Sequence, residues 1–188
     1  KGNVVNPDDV IAQYGADVLR VYELFLGPFD QAVPWDMNGI EGVRKFLDRV
    51  WTLYRGGGEV DETSELATLY HQTIKKLTEG IDQMQFNTCV SQLMILMNAY
   101  HAANGIPRAH RQGFLQVLAP LAPHITEELW MYEGQKTSIH LSAWPVYDAS
   151  RLEAPEYELA VQVNGKLRGT IIVSRDVIEA EAVAQALQ

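Results

Sequence analysis

Over roughly the first two thirds of this chain, apolar residues recur at intervals of three and four. That is the period of helices that bury one face. Between Asn38 and Arg55, the residues Ile40, Val43, Phe46, Leu47, Val50, Trp51 and Tyr54 fall on a single face. A second stripe from about Thr63 to Gln85 carries Leu66, Tyr70, Ile74, Leu77, Ile81 and Met84. The stretch from Asn87 to Asn104 is apolar around much of its circumference, which predicts the most buried helix. Gly105-Ile106-Pro107 separates it from a fourth helical stretch bearing Phe114, Val117, Leu118 and Leu121. Pro120 and Pro123 fall inside that last stretch. An interior proline costs about 3 kcal/mol, so a break is predicted there, with a restart at Pro123. Four amphipathic helices with short connectors predict a mainly α fold, an up-and-down helical bundle.

The two ends read differently. Asn6 is placed to cap a short helix, with Pro7 at its first position and Asp8 and Asp9 at the positive end of the dipole. Gly15 is expected to end that helix in a left-handed conformation. Asp17 is expected to cap the next, through Val18, Leu19, Val21, Tyr22, Leu24, Phe25 and Leu26, until Gly27-Pro28 stops it. Asp17 and Arg20 are also spaced to pair at i, i+3. Beyond Trp144-Pro145 the period changes to two: Leu159, Val161 and Val163 alternate, Asn164-Gly165 follows, then Leu167, Ile171 and Val173. Asn-Gly between alternating runs predicts a tight hairpin. A helix then begins over Ile178 to Leu187. Two strands and part of a helix are too little to be stable alone, so more chain is expected after Gln188. The first residue is not methionine, which also reads as an excised fragment. The predicted organisation is a connector over 1–35, a bundle over 36–152, and the truncated start of an α/β domain over 153–188.

Charge narrows the function classes. Against 24 acidic residues stand 15 basic ones, a net charge of −9, which globally opposes binding to phosphate backbones. Any contact with a phosphate backbone would therefore have to come from local basic clusters. Lys45 and Arg49 stand four apart on the first bundle helix, off its apolar seam, and Lys166 and Arg168 follow the hairpin turn on one strand face. For both pairs a merely solvated face is the competing reading. Lys75-Lys76 and Arg108-His110-Arg111 are weaker candidates.

No catalytic constellation is visible. Cys89 is the only cysteine, which excludes an internal disulfide and a CxxC site, and its apolar and amide neighbours predict a small buried hydrophobe. His71, His101, His110, His124 and His140 show no metal-ligand spacing. Gly56-Gly57-Gly58 lacks the Lys-Ser/Thr of a phosphate cradle and reads as a connector. Glu127-Glu128 suits the first turn of a helix without chemistry. Catalytic, metal and cofactor residues are accordingly predicted to be absent. No apolar stretch is long enough to span a bilayer and no signal peptide precedes the first helix, so a cytoplasmic location is expected.

Several blocks resemble a known family. Lys1-Gly2-Asn3-Val4-Val5-Asn6-Pro7 is similar to the sequence that follows the Lys-Met-Ser-Lys-Ser signature of class I aminoacyl-tRNA synthetases. Tyr14-Gly15-Ala16-Asp17-Val18-Leu19-Arg20, leading to Phe25-Leu26-Gly27-Pro28, resembles the connecting segment beyond it. Phe86 to Met94, Leu118 to Trp130 and Trp144 to Asp148 resemble the bundle of bacterial-type leucyl-tRNA synthetases. The Pro-His…Glu-Glu-Leu-Trp element is shared with the valyl and isoleucyl enzymes. The run from Val161 to Gly169 is more specific, resembling the lead-in to the leucyl enzyme's C-terminal domain.

This resemblance implies an anticodon-binding-type bundle that docks tRNA(Leu). The implied parent is a leucine–tRNA ligase that attaches leucine to tRNA using ATP with magnesium. Its catalytic and editing domains and the rest of its C-terminal domain would lie elsewhere in the polypeptide, and the fragment alone is expected to be inactive. The family is held to rely on the body and long variable arm of its tRNA, so anticodon reading is not expected. Two rivals remain. A helical protein-interaction domain predicts a contiguous exposed apolar groove. A synthetase for another amino acid is opposed by the hairpin block.

Overall fold

A computed structural model describes residues 4–28, 30–153, 156–163, 166–174 and 177–186. The elements are α1 (Pro7–Tyr14), α2 (Ala16–Phe25), α3 (Met37–Gly56), α4 (Ser64–Asp82), α5 (Phe86–Ala102), α6 (Arg108–Leu118), α7 (Pro123–Tyr132), β1 (Glu156–Val163), β2 (Lys166–Ser174) and α8 (Glu179–Ala186). Short 3-10 turns over Ile139–Leu141 and Ala149–Arg151 lead from α7 to β1. This is the expected mainly helical architecture, with two short helices ahead of α3 and a hairpin with a short helix after α7.

The apolar stripes become the core. Ile40, Val43 and Val50 of α3 are fully buried, as are Ile74 and Leu77 of α4 and Phe114, Val117 and Leu118 of α6. In α5, Val90, Leu93, Leu96, Met97 and Tyr100 are all at 0% exposure, but Ile95 is exposed and α2 and α6 bury a larger share of their residues, so α5 is not the most buried helix that its composition predicts. Cys89 is buried in the same helix, and burial pushes its thiol above the ordinary range, as an inert core residue requires. The prolines act as predicted: α6 stops at Leu118 and α7 restarts with Pro123 at its first position. Thr63 caps α4 by accepting from the Leu66 amide at 3.3 Å.

Packing between α4 and α6 leaves no spare volume. Tyr70 of α4 stacks on His110 of α6, with ring centroids 4.0 Å apart and planes 6° from parallel. A Cβ built on Gly113, one turn along α6, would overlap the Tyr70 hydroxyl. Gly113→Ala gains about 1 kcal/mol of helix propensity, yet must displace a ring held in that stack, an overpacking cost of about 1–3 kcal/mol. The expected result is a net destabilisation of about 1 kcal/mol, read as a lower urea midpoint at unchanged slope.

Asn6 caps α1 as expected, accepting from the Asp8 amide at 3.2 Å. Two other end signals behave differently. Gly15 has φ +92° but ψ 157°, so it does not adopt the left-handed helical cap. It is an extended turn from which α2 starts at once, and glycine is required by its positive φ. Asp17 does not cap α2, whose capping position is Gly15 without a side chain, and its partners lie far along the chain.

In the hairpin, β1 and β2 pair antiparallel with Val163 opposite Lys166. The predicted Asn164-Gly165 turn lies outside the described residues, as does Lys1. The register shifts between Val161, opposite Gly169, and Gln162, opposite Leu167, which leaves Arg168 as the extra residue of a bulge.

Candidate nucleic-acid interface

Helix α3 turns Val43, Phe46, Leu47 and Val50 inward, which puts Lys45 and Arg49 outside by the helical period. Both are exposed and one turn apart. Across from them runs α5. Arg49 donates from Nη1 to Oδ1 of Asn98 at 2.8 Å, which holds the guanidinium toward that helix. Between the two helices lies an open groove of about 320 Å³ lined by Lys45, Asp48, Arg49, Thr52, Leu53 and His101. Its one carboxylate, Asp48, accepts from Arg44 Nη1 at 2.9 Å, and Arg44 also pairs with Glu41. The groove thus offers two cations, a hydroxyl and an imidazole, while its acid is engaged by a third cation. His101, three residues along α5 from Asn98, was not among the sequence candidates. No local signal marks it, because its neighbourhood with Lys45 comes from helix pairing.

The second predicted pair lies on β2. Lys166 and Arg168 are both exposed, but the bulge at Arg168 interrupts strict alternation and re-aims that side chain relative to Lys166. Among the described residues, neither lines the α3–α5 groove. Lys75 and Lys76 border another open groove of about 540 Å³, shared with Glu79 and Glu153.

The Arg108-His110-Arg111 cluster is dispersed by the fold. Arg108 is exposed, whereas the His110 side chain is 1% exposed. Arg111 is committed to Glu133, donating from Nε to both carboxylate oxygens at 3.0 Å, and from Nη2 to the Tyr54 carbonyl at 3.0 Å. The Glu133 bonds raise the Arg111 pKa further. This arginine is a structural clasp between α3, α6 and the end of α7, and no phosphate can use it without breaking that clasp.

His110 instead organises a polar core. Its Nδ1 lies 3.0 Å from the Tyr100 hydroxyl and its Nε2 lies 2.7 Å from Glu62 Oε1. Glu62 Oε2 accepts from Arg151 Nη1 at 2.8 Å, and the neighbouring Asp148 amide donates to His71 Nδ1 at 3.1 Å. One tautomer satisfies the chain of bonds: neutral imidazole with the proton on Nε2 donating to Glu62, and Tyr100 O–H donating to Nδ1. Burial, which lowers the His110 pKa, favours the same neutral form. At Glu62 burial raises the pKa, but the bonds from Arg151 and His110 outweigh it and the net displacement is downward. Burial also raises the Tyr70 pKa to about 12 and that of Tyr100 well above its ordinary value. The network pins the 3-10 turn at Ala149–Arg151 onto the bundle.

Asp17 and Arg20 do not pair with each other. Asp17 Oδ1 accepts from the His124 amide at 3.3 Å and from His124 Nδ1 at 2.8 Å, and Oδ2 accepts from the Ile125 amide at 2.7 Å. Arg20 donates from Nη2 to the Pro120 carbonyl at 3.1 Å. Both therefore grip the break between α6 and α7, and Asp17 caps α7 from another helix. Among the described residues, no group of three His, Cys, Asp or Glu side chains is placed to hold a metal ion. Among the same residues, no helix is long and apolar enough to cross a membrane.

Residues 64–182, well over half of the chain, match the family described as the anticodon-binding domain of tRNA ligase. The chain belongs to this family. Members are domains of tRNA ligases, and binding of tRNA is the function the family carries. The chain is also similar to the agnB2 LeuRS of Agrobacterium radiobacter K84, solved in a ternary complex with tRNA and LeuAMS. That likeness has a TM-score of 0.79 and 27% identity, and it covers 99% of this chain but 27% of the other. The chain thus spans about a quarter of the length of that synthetase.

Proposed function

We propose that this chain is the tRNA-docking portion of a leucine–tRNA ligase of bacterial type, binding tRNA(Leu) while chemistry is performed elsewhere in the polypeptide. In this reading residues 1–35 connect to a catalytic domain ending in the Lys-Met-Ser-Lys-Ser loop, 36–152 form the docking bundle, and 153–188 begin a further α/β domain. Leucine activation with ATP and magnesium, and any editing, belong to those other domains. The cytoplasm is where such an enzyme works.

The observation that carries the proposal is the α3–α5 groove, where Lys45, Arg49, Thr52 and His101 converge although the chain as a whole carries −9. Its carboxylate is engaged by Arg44, so the local field favours a phosphate where the global charge does not. Debye screening at physiological salt, about 8 Å, keeps the remote acidic residues from cancelling it. Lys166 and Arg168 supply a second, separate contact. The likeness to a LeuRS solved with tRNA supports the choice of nucleic acid and of parent.

Binding of tRNA(Leu) to the 188-residue chain, measured against salt, tests the reading. The expected result is weak binding that falls steeply with salt. Lys45→Ala with Arg49→Ala is expected to cost about tenfold or more and to reduce the logarithmic salt slope by about two. Binding that is independent of salt, or equal in the double variant, would remove the groove from the interface.

A further inference from the structure

We propose that Asn98 and Arg44 are positioning residues that keep the α3–α5 groove cationic. Asn98 holds Arg49 without cancelling its charge, and Arg44 draws the groove's one acid away from Lys45. This rests on the docking reading of that groove and deepens it, because both residues act through the groove's lining while forming no part of it.

Three arginines of this fold are held by acids: Arg44 by Glu41 and Asp48, Arg111 by Glu133, and Arg151 by Glu62. Arg49 departs from that pattern. Its Nη1 donates to Oδ1 of Asn98 at 2.8 Å, and among the described residues it pairs with no carboxylate. A guanidinium has no acceptor, so the amide must present its oxygen to it. A carboxylate at this position would give a stronger bond but would neutralise the cation. An alanine would leave the charge on a side chain free to rotate. Asparagine restricts the arginine and leaves its charge whole. The anchor is delivered by the exposed face of α5, where Asn98 lies one turn before His101, so one face supplies both the anchor and the imidazole of the groove.

Asp48 poses the opposite problem. It lines the groove three residues after Lys45, a spacing at which a lysine and a carboxylate on a helix can pair. Among the described residues Lys45 nevertheless pairs with no carboxylate. The Asp48 Oδ2 accepts instead from Arg44 Nη1 at 2.9 Å, and Glu41 Oε2 fixes Arg44 from the preceding turn by accepting from its Nε at 3.0 Å. All three side chains are well exposed, so these ion pairs add little to stability. What they set is the direction of the carboxylate. Ladders of this spacing are common on helix surfaces, which accounts for Glu41, Arg44 and Asp48 but not for the neutral partner of Arg49.

The test measures tRNA(Leu) binding by the 188-residue chain against salt, with thermal unfolding of each variant. Asn98→Asp keeps the bond and adds a charge. It should melt at or above the wild-type temperature, yet bind about three- to fivefold more weakly at low salt, with the logarithmic salt slope lowered by about one. Asn98→Ala frees the arginine but spares its charge, so the loss should be about twofold at an unchanged slope. A merely structural role for Asn98 would not separate the two slopes in this way. Arg44→Ala should lower the slope as Asn98→Asp does, because Asp48 is then free to take Lys45. Adding Asp48→Asn to Arg44→Ala should restore the affinity, a rescue that an arginine touching the RNA itself would not show. A wild-type slope in Asn98→Asp, or no rescue of Arg44→Ala, overturns the proposal. If the Lys45→Ala, Arg49→Ala variant is still weakened in that case, the docking reading survives without these positioning residues. If the wild-type chain binds no tRNA at low salt, both fall.

Discussion

His110→Ala is expected to destabilise the chain by about 3–5 kcal/mol and to lower its melting temperature by roughly 10 °C. Three losses combine. The imidazole is stacked on Tyr70 and sealed from solvent, so truncation opens a cavity beside Tyr70 and Tyr100. The Tyr100 hydroxyl, on a residue at 0% exposure, loses its acceptor. Glu62 keeps Arg151 but loses the bond that ties this pair to the bundle. His110→Gln should cost less, since an amide can reach one of the two partners. Thermal unfolding of the three proteins at neutral pH checks the order.

The same network fixes the sign of an acid response. His110 is held below its ordinary value of 6.5, first by burial, so the folded chain resists the proton that the unfolded chain accepts. Its contribution is fully present above about pH 6.5 and is lost as pH falls below that value. His71, also lowered by burial, adds to this window. Glu62 is lowered from 4.5, so its contribution is lost in a second, more acidic window below that value. Subtracting the stability profile of His110→Gln from that of the wild type should leave a decline in the upper window and a smaller change in the acidic one, because His110 also helps to lower Glu62.

Asp17→Ala is the second large effect, an expected loss of about 2–3 kcal/mol. One carboxylate accepts from two main-chain amides at the start of α7 and from the His124 ring. A cap is worth about 0.5–2 kcal/mol, and bonds to a charged group about 1.5–3 kcal/mol each where they exclude water. Asp17→Asn keeps one acceptor oxygen and should fall between. Arg20→Ala, which removes one exposed bond to the Pro120 carbonyl, should cost about 1 kcal/mol or less. Urea midpoints at constant slope would establish the series. Because the clamp joins α2 to α7, its loss should also loosen the two helices against each other, visible as faster amide exchange at His124 and Ile125.

What the sequence could and could not reveal follows from the range of the interactions. The stripes of α3, α4 and α5 and the break between α6 and α7 were legible because helical period and proline geometry are local. The role of Asp17 is hidden for the opposite reason. A carboxylate in a first turn looks like a local cap, and its true partners are more than a hundred residues away. Arg108-His110-Arg111 looked like a basic cluster because adjacent letters suggest adjacent charges. On a helix they diverge, and His110 in fact falls on the stripe of Phe114, Val117 and Leu118, a signal that period alone contains. Lys45 and Arg49 were found as an exposed pair, but Asn98 and His101 belong to their groove only through the packing of α3 against α5. Arg168 could not be placed by alternation, since the bulge that re-aims it has no sequence mark.

The docking reading assigns tRNA to this part of the molecule and amino-acid chemistry to the rest of the ligase. It is tested most directly in the intact ligase that contains this chain, by comparing two activities of the Lys45→Ala, Arg49→Ala variant. The expected result is a KM for tRNA raised by about tenfold or more, with leucine-dependent exchange of ATP and pyrophosphate nearly unchanged. An equal fall in both activities would contradict it.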